Sequence, residues 1–66
     1  MARISINNGH NFVSAKEALT EISMDVIAEI MDDEIREHVH NDIAPCTDEE
    51  FLNEYLRRAA EDLIIG

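Results

Sequence analysis

The sequence predicts an α+β fold: three helices packed on a small two- or three-stranded antiparallel sheet, forming a single domain over residues 1–66. Three observations lead there. Short runs with strand character stand at the two ends of the chain. Capping boxes and helical periodicity fill the middle. A chain of 66 residues has room for one core, but not for a second domain or a deep-pocketed enzyme fold. The hydrophobic fraction of 45% is too high for a disordered acidic tail.

In chain order, Arg3-Ile4-Ser5-Ile6 alternates with period two and predicts a first strand. Asn7-Asn8-Gly9 supplies turn chemistry, and a short second strand at about His10 to Val13 completes a hairpin. Ser14-Ala15-Lys16-Glu17 fits a capping box, with Ser14 as N-cap of a helix that runs to about Glu21. Ser23 is the next N-cap, and one long helix is expected from Met24 to about His40. On it Met24, Ile27, Ala28, Met31, Ile35 and Val39 form an apolar stripe, widened by Val26 and Ile30. Pro45 stops that helix, because the residue before a proline is driven out of helical geometry. Thr47-Asp48-Glu49-Glu50 is a second capping box and opens the third helix, whose stripe is Phe51, Leu52, Tyr55, Leu56 and Ala59. Leu63-Ile64-Ile65 before Gly66 predicts a last strand paired with the first.

Charge narrows the partner. Fifteen Asp and Glu stand against five Lys and Arg, a formal charge of -10 at pH 7. Such a surface repels nucleic acid and anionic membrane and attracts proteins with basic patches. It also opposes self-association, so a monomer is expected. Acids at helix starts have a local explanation in the helix dipole: Asp48, Glu49 and Glu50 in the third helix, Asp25 in the second. In the third helix Glu54 is expected to pair with Arg57 and Arg58, and Arg57 with Glu61. The long second helix is different. Asp25, Glu29, Asp33 and Glu37 recur every four residues along one edge, relieved only by Arg36, and each like-charge pair costs about 0.2–0.5 kcal/mol. Asp32-Asp33-Glu34 is an acidic run placed mid-helix, where Asp is a poor helix former. Glu37 and Asp42 sit toward the negative end of the dipole. A small domain that keeps charges local physics disfavours is keeping a surface for function. Carboxylates rising roughly 6 Å per step along a rod resemble the phosphate line of duplex DNA. The candidate partner-binding residues are therefore Asp25, Glu29, Asp32, Asp33, Glu34, Glu37 and Asp42.

Other chemistry is weakly supported. His38 and His40, two apart on a helix, point to different faces, and with Cys46 they lack zinc-ligand spacing. His38 is expected on the core side of its helix and His10 in solvent. The acidic run lacks the spaced oxygens of a calcium loop. No nucleophile elbow or phosphate loop occurs, so no catalytic residue, metal or cofactor is expected. Cys46 is the only cysteine, which excludes an internal disulfide. The start shows no signal-peptide pattern and no apolar run spans a bilayer, so a cytoplasmic protein is expected.

Ile4-Ser5-Ile6-Asn7-Asn8-Gly9, Met31-Asp32-Asp33-Glu34, Ala44-Pro45-Cys46-Thr47-Asp48-Glu49-Glu50-Phe51-Leu52 and Leu63-Ile64-Ile65-Gly66, with the size and acidity of the chain, resemble the small phage-borne anti-CRISPR proteins, in particular a type I-C inhibitor. The resemblance implies a stoichiometric, cofactor-free inhibitor acting in the infected bacterial host. Its expected partner is the basic DNA-binding surface of a CRISPR surveillance complex, with no nucleic acid or membrane bound directly. No residue role carries over by motif. An antirestriction decoy, or an interaction module anchored by Val26, Ile30 or Tyr55, is the alternative.

Overall fold

The computed structural model describes residues 2–7 and 10–65, and Asn8 and Gly9 of the expected turn lie outside them. Seven elements follow one another: β1 (Ile4–Ser5), β2 (Phe12–Val13), α1 (Ala15–Glu21), α2 (Met24–Glu29), α3 (Asp33–Ile43), α4 (Asp48–Arg58) and β3 (Leu63–Ile64). The sheet order is β2-β1-β3. The hairpin partner is antiparallel, with Ile4 opposite Val13 and Ser5 opposite Phe12. The last strand runs parallel to β1, with Ile4 opposite Leu63 and Ser5 opposite Ile64. The sheet is thus mixed and not antiparallel. A two-residue strand carries no directional signal, and the four intervening helices are a connection long enough to return in either sense.

Two helix starts follow their sequence signals closely. The Ser14 hydroxyl accepts the Glu17 N–H at 3.1 Å. Thr47 and Glu50 form the full reciprocal capping box. Ser23 is the N-cap of α2 but makes no side-chain cap bond.

The expected long helix is two helices. After Glu29 the chain tightens, with the Ile30 N–H donating to the Ile27 carbonyl and the Met31 N–H to the Ala28 carbonyl, both at 3.2 Å. These are three-residue bonds of the kind that close a last turn. The Asp32 N–H then leaves the helix and donates to the Tyr55 hydroxyl at 2.7 Å. The Asp32 backbone is extended, and its carboxylate accepts the Ile35 N–H at 3.1 Å as N-cap of α3. Arg36 Nη1 donates to the Ala28 carbonyl at 2.9 Å, which bolts the start of α3 to the end of α2. At the corner the Asp32 N–H and the Ala28 carbonyl therefore find partners on other elements.

The core is one cluster in which Ile4, Ala18, Ile27, Val39 and Leu52 are wholly inaccessible. Met31, at the corner, is buried too. The apolar stripe of the sequence therefore survives the break, because both short helices turn their apolar side to the same core. On α3 Val39 is buried and Ile35 and Ile43 are half-buried, while His38, about 100° round the helix from Val39, is exposed, contrary to its expected core position. The chain ends are tied in as well. The Ala2 N–H donates to the Leu56 carbonyl at 2.9 Å, and the Arg3 N–H to the Asp62 carboxylate at 2.7 Å.

Candidate partner-binding surface

The break changes the meaning of the acidic run. Asp32 is an N-cap, and Asp33 and Glu34 lie in the first turn of α3. There they complement the positive end of the helix, so these acids have a local explanation that a mid-helix position denied them. The seven candidate residues do not form one row. Asp25 and Glu29 stand a turn apart on α2, with Asp25 in its first turn and Glu29 at its last residue. Asp33 and Glu37 share a shallow hollow on α3 with Arg36, His40 and Phe51. Asp42 belongs to the far end of α3, beside α4. A single rod carrying phosphate-like spacing is therefore not part of this molecule.

The distribution of cations decides how much charge is left. Arg3 pairs with Asp62 at 3.4 Å and Arg36 with Asp33 at 2.8 Å. Arg57 reaches Glu54 at 3.5 Å, because α4 ends at Arg58, short of the expected partner Glu61. Arg58 bridges two elements, meeting Asp42 at 2.7 Å and Glu54 at 2.8 Å. The Glu54 and then the Asp42 carboxylate raise the Arg58 guanidinium pKa above its usual range. All four arginines are thus held by four acids. Of the fifteen acids, eleven make no ion pair among the described residues, and neither does Lys16.

Most of those eleven stand at helix starts. Four do not: Glu21 in the last turn of α1, Glu29 closing α2, Glu37 within α3 and Glu61 beyond α4. Two of them, Glu21 and Glu29, face the negative end of a helix, where an acid is disfavoured. Glu21 and Glu61 were not among the sequence candidates. For Glu21 the signal was available, since an acid closing a predicted helix has no local support. For Glu61 the helical spacing from Arg57 predicts a pair that the end of α4 at Arg58 prevents.

Beside this surface lies a cleft of about 420 Å³ between the α2–α3 corner and the segment leading from α4 into β3. Ile30, Ile35, Tyr55 and Ala59 supply its apolar wall, and Asp32, Glu61 and Asp62 its acids. Among the described residues no three His, Cys, Asp or Glu side chains gather to hold a metal ion, and no helix is long and apolar enough to cross a membrane. Cys46 is half-buried in the segment before α4, and His10, His38 and His40 are exposed.

A family model described as anti-CRISPR protein AcrIC5 matches residues 20–61. The chain belongs to that family. The matched span starts at the end of α1 and runs past α4, so it contains all seven candidate acids, the corner and the four acids without local support. It makes the chain an anti-CRISPR protein most similar to a type I-C inhibitor, as the sequence resemblance implied, and its partner a CRISPR–Cas complex. No curated protein and no solved structure matches the chain.

Proposed function

We propose that this anti-CRISPR protein blocks target-DNA binding by a type I-C surveillance complex, by presenting its acidic surface to the complex's basic DNA-binding surface. The observation that carries this reading is the engagement of every arginine by Asp33, Asp42, Glu54 and Asp62, which leaves eleven carboxylates without a cation among the described residues. A DNA channel is lined with Lys and Arg placed to neutralise phosphates, and a dense field of unpaired carboxylates meets the same requirement.

Asp25, Glu29, Asp32, Glu34 and Glu37 form the centre of the proposed surface. Asp33 and Asp42 stand at its margin, because Arg36 and Arg58 already hold them. Since the acids lie on two short helices and their corner, the likeness to DNA is one of charge density and not of phosphate spacing. The protein acts stoichiometrically, as a monomer inside the infected cell, without catalysis, cofactor or direct contact with nucleic acid.

A competition experiment with labelled target duplex and purified type I-C surveillance complex tests the reading. Wild-type protein displaces the duplex. The triple variant Glu29→Lys, Glu34→Lys, Glu37→Lys, whose sites are all exposed, folds and does not. Full displacement by the folded variant refutes the proposed surface.

A further inference from the structure

Among the described residues four large apolar side chains are exposed: Phe12 at 41%, and Val26, Ile30 and Ile64 at 44% each. Phe12 has a local use, since the Arg3 guanidinium stacks over its ring at 3.8 Å. Val26 and Ile30 do not. They stand one turn apart on the outer side of α2 and at its C-cap, while Ile27 between them is wholly buried. Ile30 also lines the cleft, so the exposed apolar strip runs from α2 into the concavity walled by Ile35, Tyr55 and Ala59. Asp25 and Glu29 directly precede Val26 and Ile30 in sequence, and Asp32 and Glu61 stand in the cleft without a cation among the described residues.

We infer that the Val26–Ile30 strip and this cleft are the anchor of the interface, and that the occupant is a protein segment carrying an Arg or Lys beside an aliphatic side chain. Charge complementarity selects that occupant. A long basic side chain lays its methylene stem along Ile30, Ile35 and Ala59 and delivers its charged head to Asp32 and Glu61. An aliphatic neighbour covers Val26. Neither a phosphate group nor another acidic protein fits such a lining, and a second copy of this chain brings the same net charge of -10. The inference rests on the charge reading above and adds to it a contact that DNA cannot offer. Binding then has two parts: an acidic field that steers association and weakens with salt, and an apolar anchor that salt leaves largely intact.

The double variant Val26→Ser, Ile30→Ser separates the two, because it keeps every charge. Its affinity for the purified type I-C surveillance complex falls by on the order of tenfold at each salt concentration, while the salt slope stays as in wild type. Ile30→Arg fills the cleft with the protein's own cation and produces a loss at least as large. Wild-type affinity in either folded variant overturns the anchor. If Val26→Ser, Ile30→Ser binds normally while the Glu29, Glu34, Glu37 lysine variant fails, the anchor is wrong and the charge reading stands. If the lysine variant binds normally and the serine variant fails, the anchor stands and the charge reading falls.

Discussion

Asp32→Ala distinguishes a broken helix from a continuous one by the sign of its effect. In the observed fold the Asp32 carboxylate caps α3 by accepting the Ile35 N–H at 3.1 Å. Removing an aspartate N-cap costs about 1 kcal/mol, within a range of roughly 0.5–2. The side chain is exposed, so no cavity adds to that figure. Unfolding entropy near 2.1 cal/mol/K per residue gives a chain of this length about 140 cal/mol/K, so 1 kcal/mol lowers Tm by about 7 °C. In one long helix the same change replaces a poor helix former with the best one and raises stability by up to about 0.7 kcal/mol. Thermal unfolding followed by far-UV circular dichroism reads the difference directly. Asp32→Asn is the control, since asparagine caps as well as aspartate and its Tm should stay within a degree or two, roughly the scatter of equivalent caps. A Tm increase in Asp32→Ala refutes the assignment of Asp32 as an N-cap.

Three further outcomes follow. Thr47→Ala removes the hydroxyl that accepts the Glu50 N–H at 3.2 Å, and chemical denaturation should register a loss of about 1 kcal/mol. Ile27→Ala empties a wholly buried site at a cost of about 2–5 kcal/mol, enough to leave so small a domain largely unfolded at 37 °C by circular dichroism. Arg58→Gln breaks the bridge from α4 to Asp42 on α3; Tm falls, while affinity for the surveillance complex rises, because Asp42 and Glu54 gain unpaired charge. The raised guanidinium pKa means that this bridge contributes throughout the range below the ordinary arginine value and is lost only as pH rises through the still higher folded value, so its loss should shift Tm equally across the neutral range.

The elements that the sequence made legible are those with a local chemical signature. Ser14 and Thr47 announce their helices through hydroxyls that cap them, and Pro45 follows a helix that has ended by Ile43. The corner at Ile30–Asp32 was hidden because Met24, Ile27, Met31, Ile35 and Val39 keep helical spacing straight through it. The spacing persists because Met31 remains buried where the two helices meet. The missed signal is the similarity of Asp32-Asp33-Glu34 to Thr47-Asp48-Glu49-Glu50: a capping residue followed by acids in the first turn. Read that way, the run marks a helix start and not a strained surface. The direction of β3 had no signal, since parallel pairing depends on the path of the whole chain. The acidity of the surface was legible from composition, but its residual charge was not. It depends on Arg58 reaching Asp42 across two helices and on Arg3 reaching Asp62 from the other end of the chain.

The most direct test is the affinity of wild-type protein for the type I-C surveillance complex over a series of salt concentrations. Uncompensated carboxylates meeting a DNA-binding surface predict that log Kd rises linearly with log salt, with a slope that becomes shallower in the Glu29, Glu34, Glu37 lysine variant. A Kd that stays constant across the series contradicts the account.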